Sequence, residues 1–219
     1  DFTELGSGFK IAMRDLSIRG AGNLLGAQQH GFIDSVGFDL YSQMLTEAVQ
    51  RKQGKNTQTE KTSVEIDLGI DAYLPTTYIE DERQKIEIYK RIRELETIDM
   101  LDELQDDLMD RFGEYPDEVA HLLAVGELKM NGDRALLERI RKQEQLITVV
   151  LSKVGTKAYT VEQLFKSLGH TKLKATLGVE KEQMHLKLTI PNGMKTMVWL
   201  HEVQSFVADL RKERYQTMK

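Results

Sequence analysis

Apolar residues recur along this chain at two spacings, three-to-four and two, and the switches between them mark out its elements. Near the beginning, Phe9, Ala12, Met13 and Leu16 fall on one face of a helix. Phe38, Tyr41, Met44, Leu45 and Ala48 do the same further on. These two patterns predict a helical hairpin whose connection holds Gly20, Gly22, Gly26 and Gly31. Glycine accepts positive φ and close backbone approach, so the tip is expected to be a shaped loop presenting Arg19, Gln28 and Gln29. The run from Arg51 to Lys61 is polar and aperiodic and reads as an exposed linker.

Beyond it, Val64, Ile66, Leu68 and Ile70 alternate with Glu65 and Asp67, the pattern of a half-buried strand ended by Leu74-Pro75. Helices are predicted over about 80–95, over about 98–112 with Gly113 as the stop, and from about Pro116 to Met130. In the second of these, Leu101, Leu104, Leu108 and Phe112 line one face while Asp102, Glu103, Asp106 and Asp107 take the other. Leu146 to Leu151 is apolar and β-branched, and Thr160-x-x-Gln163 has the form of a capping box. Met184, Leu186, Leu188 and Ile190 alternate again, and Pro191-Asn192-Gly193 is a turn. A last helix from about Met194 is expected to bury Trp199, Val203, Phe206 and Leu210. The expected fold is α+β: an N-terminal helical hairpin followed by a small, mostly antiparallel sheet packed with helices. The expected division is residues 1–52, a linker at 53–63, and an α+β domain over 64–219.

Composition narrows the function. The chain has 219 residues, 40% of them hydrophobic and 30% charged, enough for one well-packed domain and an appendage. No apolar run reaches the roughly 18 residues that span a bilayer, and no signal peptide opens the sequence. A cytoplasmic protein without a membrane partner is expected. Cysteine is absent, which excludes disulfides and thiolate metal sites. His30, His121, His170, His185 and His201 are scattered without metal-ligand spacing, so no metal site is expected. Charge is uneven: residues 80–120 hold six Lys/Arg against fifteen Asp/Glu, whereas residues 121–219 hold seventeen against ten. The acidic block repels phosphates and reads as a solvated helix face or as a docking surface for a basic or polar protein. The basic excess is dispersed and lacks interleaved aromatics, so it makes no case for nucleic acid.

Catalytic motifs fail on spacing. Gly20, Gly22 and Gly26 form G-x-G-x-x-x-G, one residue too long for the dinucleotide fingerprint. Gly26 and Gly31 frame four residues as a phosphate loop does, but Phe32-Ile33 stand where Lys and Ser/Thr belong. Asp106 with Asp107, or Asp110 with Asp117, could form acid-base pairs, yet no nucleophile or pocket motif is near. No catalytic residue is expected in this chain.

The most specific stretch runs Gly8-Phe9-Lys10-Ile11-Ala12-Met13-Arg14-Asp15-Leu16-Ser17-Ile18-Arg19-Gly20-Ala21-Gly22, followed by Leu25-Gly26 and Gln29-x-Gly31. It resembles the translocation motif shared by RecG-type DNA helicases and the bacterial transcription-repair coupling factors. RecG-type chains usually carry proline where Ala21 stands and end soon after the motif. This chain continues with Phe38-Asp39-Leu40-Tyr41 and a further domain's worth of residues. Leu74-Pro75-x-x-Tyr78-Ile79, Tyr89-Lys90-Arg91-Ile92 and Asp110-Arg111-Phe112-Gly113-x-x-Pro116 also resemble the coupling factors.

The resemblance implies a fragment of an ATP-dependent double-stranded DNA translocase of nucleotide-excision repair, one that displaces stalled RNA polymerase and recruits the UvrA repair protein. ATP and Mg would be bound by the parent. No Walker A or acidic Walker B run is present here, so this chain alone is expected to lack ATPase activity. Phe2 to Phe9 would be the trace of the second ATPase lobe. Arg14, Asp15, Arg19, Gly20, Gly22, Gly26, Gln29 and Gly31 would make up the translocation motif, with Arg19 and Gln29 coupling hydrolysis to DNA movement. Arg14 and Asp15 would tie the two helices together. The last domain would restrain the motor by docking on the module that recruits UvrA, with Glu94, Asp102, Glu103, Asp106, Asp107 and Glu114 as candidate contacts. A RecG-type fragment and a stand-alone protein-interaction module remain alternatives.

Overall fold

A computed structural model of the chain describes residues 60–217. The predicted hairpin, the translocation-motif residues Arg14 through Gly31, His30 and most of the predicted linker lie outside the described residues. The described chain forms two compact units, residues 69–126 and residues 60–68 with 127–217.

The first unit is helical. α1 (Glu82–Arg93) starts at Asp81, whose carboxylate accepts the Gln84 N–H at 3.0 Å, and Lys90, Arg91 and Arg93 in its last turn complement the helix dipole. α2 (Ile98–Phe112) starts at Thr97, which accepts from the Met100 N–H, and stops at Gly113, whose φ of 83° only glycine adopts without strain. α3 (Asp117–Arg134) follows Pro116 and opens on Asp117 and Glu118. Ile88, Tyr89 and Ile92 of α1 and Leu101, Leu104 and Leu108 of α2 are buried, in the three-to-four spacing of the sequence.

The second unit is built on a five-stranded sheet: β1 (Glu65–Asp67), β2 (Leu137–Gln143), β3 (Leu146–Leu151), β4 (Lys174–Glu180) and β5 (Gln183–Thr189), in the order β1-β2-β3-β5-β4. β1 and β2 are parallel and every other neighbouring pair is antiparallel. The fold is thus α+β with a mostly antiparallel sheet, as the periodicity predicts. Between β3 and β4 lie α4 (Lys153–Ala158) and α5 (Val161–Gly169), and α6 (Thr196–Thr217) closes the described chain. Thr160 and Gln163 form the predicted capping box at α5. Pro191 accepts from the Met194 N–H around Gly193 at φ 84°, and Trp199, Val203, Phe206 and Leu210 of α6 are buried.

Four elements differ from expectation. β1 is shorter than its alternating run because Gly69, at φ 64°, turns the chain out of the sheet, although Val64, Ile66 and Leu68 are all buried. α3 continues four residues beyond Met130, ending at Arg134. β2 and β4 carry little period-two signal. In β2 an irregularity between Leu137 and Arg139 leaves its buried residues, Leu137 and Ile140, three apart. β4 is an edge strand with no fully buried residue.

A buried polar cluster attaches β1 to the second half of α3. The Asp133 carboxylate accepts the Val64 N–H at 2.7 Å and lies 3.2 Å from the Lys129 ammonium, which donates to Ser63 Oγ at 2.9 Å. Thr62 donates its N–H to the Asp133 carbonyl at 2.9 Å. Burial pushes the Asp133 carboxyl up from its ordinary value, against the pull of Lys129 and the Val64 N–H.

The Leu136 carbonyl anchors α4. It accepts from the Ser152 N–H at 3.0 Å and the Ser152 hydroxyl at 2.9 Å, while the same hydroxyl accepts the Gly155 N–H at 2.9 Å. A Cβ on Gly155 would stand 2.4 Å from that carbonyl oxygen, a backbone atom unable to swing away. Gly155→Ala is expected to destabilise the second unit by about 2 kcal/mol or more despite alanine's better helix propensity, as read by urea unfolding of the variant against the parent chain.

Candidate functional site: the acidic helix of the first unit

The three later sequence runs singled out above meet in the first unit. Leu74 is fully buried and donates its N–H to the Tyr89 hydroxyl oxygen at 3.0 Å. The Pro75 carbonyl accepts from the N–H groups of Tyr78 and Ile79, both at 3.0 Å, which makes Leu74-Pro75-x-x-Tyr78-Ile79 a tight turn. The Tyr78 hydroxyl lies 2.8 Å from the Gly113 carbonyl and 3.2 Å from that of Leu108, and its ring is 5.8 Å from that of Phe112. Burial pushes the Tyr89 phenol well above its ordinary value.

Charge pairs tie α1 to α2. Arg111 donates to Glu87 at 3.1 Å and to Asp107 at 3.1 Å, and its guanidinium stacks 5.0 Å from the Phe112 ring. Arg91 donates to the same Asp107 carboxylate. Asp107 thus joins two arginines from different helices, and these hydrogen bonds, Arg91's foremost, hold its carboxyl below the usual carboxylate range. The reciprocal pull of Glu87 and Asp107 raises the Arg111 guanidinium.

This arrangement sorts the predicted docking residues. Asp102, Glu103 and Asp106 on α2 are exposed and belong to no described ion pair, whereas Asp107 is half-buried and engaged within its own unit. Glu114 is exposed just beyond the helix. Glu94, the C-cap of α1, is exposed and has interactions of its own. The acidic face is not purely polar, because Ile98, 52% exposed, and Met109, 44% exposed, flank it. Phe112, expected in the buried stripe, is half-buried against Tyr78 and Arg111.

Sequence reasoning missed Glu87, Arg91 and Arg111 as the residues that hold the acidic helix. Only the Asp107/Arg111 pair, four residues apart on one helix, carried a local signal. Asp110 and Asp117 are both exposed. Among the described histidines, His121 Nδ1 is 2.8 Å from the Asp71 carbonyl, His170 is 3.4 Å from Asp209 and His185 is 3.8 Å from Glu180. No group of three or more His, Asp or Glu among the described residues is placed to hold a metal ion. No helix among them is long and apolar enough to cross a membrane.

The family model of the TRCF domain matches residues 68–181, from the end of β1 into the turn after β4. The chain belongs to the transcription-repair-coupling factor family. The coupling factor of Bacillus subtilis (strain 168) is 47% identical over 219 residues, all of this chain and 18% of that protein. That of Staphylococcus aureus (strain USA300) is 52% identical over 208 residues, 94% of this chain and 17% of that one. The chain therefore spans under a fifth of the length of these relatives. A crystal structure of the C-terminal domain of a coupling factor matches with a TM-score of 0.69 at 38% identity, covering 73% of this chain and 99% of that domain.

The family match includes the whole Asp107 network. Because the carboxyl of Asp107 is depressed, its contribution is full above the ordinary value of 3.8 and lost as pH falls through the lower folded-state value. Asp107→Asn is expected to lower stability by about 0.5–1 kcal/mol at pH 7, a difference that shrinks as pH falls below 3.8 and vanishes once the folded-state carboxyl is protonated, when urea unfolding is compared across pH.

Proposed function

We propose that this chain is the C-terminal regulatory part of an ATP-dependent double-stranded DNA translocase of transcription-coupled repair. The observation that carries this reading is family membership together with the acidic face of α2, where Asp102, Glu103 and Asp106 stand exposed beside an Asp107 fixed by two arginines. A face whose backbone is rigidly held and whose outer charges are unspent suits docking on a basic protein surface, since little entropy is lost on binding. The surface in question is the parent's own UvrA-recruiting module. Docking there masks UvrA binding and restrains the motor until RNA polymerase is engaged.

In the same reading, residues 1–52 carry the end of the second ATPase lobe and the translocation hairpin, residues 53–63 link, and residues 64–219 regulate. The parent binds ATP and Mg, moves on duplex DNA, and works in the cytoplasm. Arg19 couples lobe closure to movement, because a guanidinium holds a phosphate or carboxylate bidentately and releases it when the lobes shift. Gln29 supplies a neutral donor and acceptor beside it.

Two experiments test these roles separately. Removing residues 64–219 from the full-length parent, or combining Asp102→Lys with Asp106→Lys, should raise capture of purified UvrA in a pull-down; equal capture would dispose of masking. Arg19→Ala in the full-length motor should abolish triplex displacement while ATP hydrolysis continues, and retained displacement would remove Arg19 from the coupling role.

A further inference from the structure

The sheet ends in two different ways. One side is β1, only three residues long and fastened through Val64 and Thr62 to α3. The other is β4, seven residues long, whose outer edge pairs with no strand among the described residues. Edge strands are ordinarily blunted by brevity, proline, a bulge or charged side chains. β4 is long, contains no proline and keeps its register with β5 without a shift from Lys174 opposite Thr189 to Glu180 opposite Gln183, and its only charges are the opposite pair Lys174 and Glu180 at its two ends. Its outward N–H and C=O groups form a ready template for another strand.

The sequence of β4 selects its occupant. Reversed upon itself about Leu177, the strand sets Lys174 opposite Glu180, Ala175 opposite Val179, Thr176 opposite Gly178, and Leu177 opposite its own copy. Opposite charges meet at both ends, and the residues between them are small or apolar. A two-residue slip sets Lys174 opposite Gly178 or Glu180 opposite Thr176, and a one-residue slip turns the wrong faces together.

The faces agree with this register. Ala175, Leu177 and Val179 pair with Leu188, Leu186 and Met184 of β5, all buried, so the apolar face of the sheet runs out to the edge and leaves Val179 64% exposed. Within its own chain, Glu180 reaches His185 only at 3.8 Å and Lys187 at 3.9 Å, both beyond hydrogen-bond distance. Lys174 belongs to no ion pair among the described residues. Both charges are available to a second copy.

We propose that β4 is a self-pairing edge: two copies of this chain join antiparallel along β4, about a two-fold axis at Leu177, into one continuous sheet. The interface is a single short ladder with two Lys174–Glu180 pairs and covered Val179 side chains, so association is weak and concentration-dependent. Sedimentation equilibrium of the 219-residue chain from about 10 μM to about 1 mM, with hydrogen exchange at both ends of that range, tests it. The expected result is a dimer fraction that rises with concentration while exchange slows over Lys174–Glu180. Lys174→Glu and Glu180→Lys should each weaken the dimer by about tenfold, and the two together should restore it to within about threefold. Both positions are exposed, and circular dichroism checks that each variant is folded. A monomer throughout overturns the proposal, as does a dimer indifferent to the charge swaps or one whose β4 amides still exchange fast.

Discussion

The fold of the second unit depends on keeping a very short parallel strand in place. β1 contributes only three residues to the sheet and would gain little from its own ladder with β2. Asp133 and Lys129 supply what the ladder lacks: they bind the backbone of Val64 and the Ser63 hydroxyl from the end of α3, the helix that leads into β2. Losing one partner of a buried pair of this kind costs about 3–5 kcal/mol, more than three strand residues can make good. A parallel pair also needs a long crossover, and here the crossover is the chain from Gly69 to Arg134, the whole first unit included. Within the second unit, the polar cluster thus fastens β1 to the helical segment that leads back into β2.

Inside the first unit the organising choice is different. Its apolar faces are ordinary amphipathic stripes, but the register of α1 against α2 is set by polar groups reaching between them: Arg91 and Arg111 on Asp107, and Arg111 on Glu87. The Tyr89 hydroxyl satisfies the Leu74 amide in the interior, and Tyr78 engages the carbonyls where α2 stops. Each of the three runs within this unit that resemble the coupling factors supplies one side of such a contact. In this unit those residues hold the fold together, and the exposed carboxylates Asp102, Glu103 and Asp106 are ones that none of these bonds engages.

What could be read from the sequence follows the range of the physics. α2 was legible because its leucine stripe and its terminal glycine are both local. The capping box at Thr160 and the buried face of α6 were legible for the same reason. β2 was not, since its irregularity breaks the alternation, and β4 was not, since an edge strand has little to bury. The sharing of Asp107 between Arg91 and Arg111 joins residues sixteen apart in the chain and could not be seen in an acidic run that looks uniform on paper. The acidic run on α2 was legible, whereas the division between engaged and unengaged carboxylates needed coordinates.

The direction of β1 has a mechanical meaning. Among the described residues the strand has one neighbour, β2, to which it runs parallel, and Asp133 binds the backbone beside it. Tension drawn along it from the N-terminal side slides the ladder lengthwise and strains its bonds together, instead of peeling them one by one. The parallel direction of the short strand therefore sets a shear geometry, in which its few ladder bonds share a load applied along the strand axis.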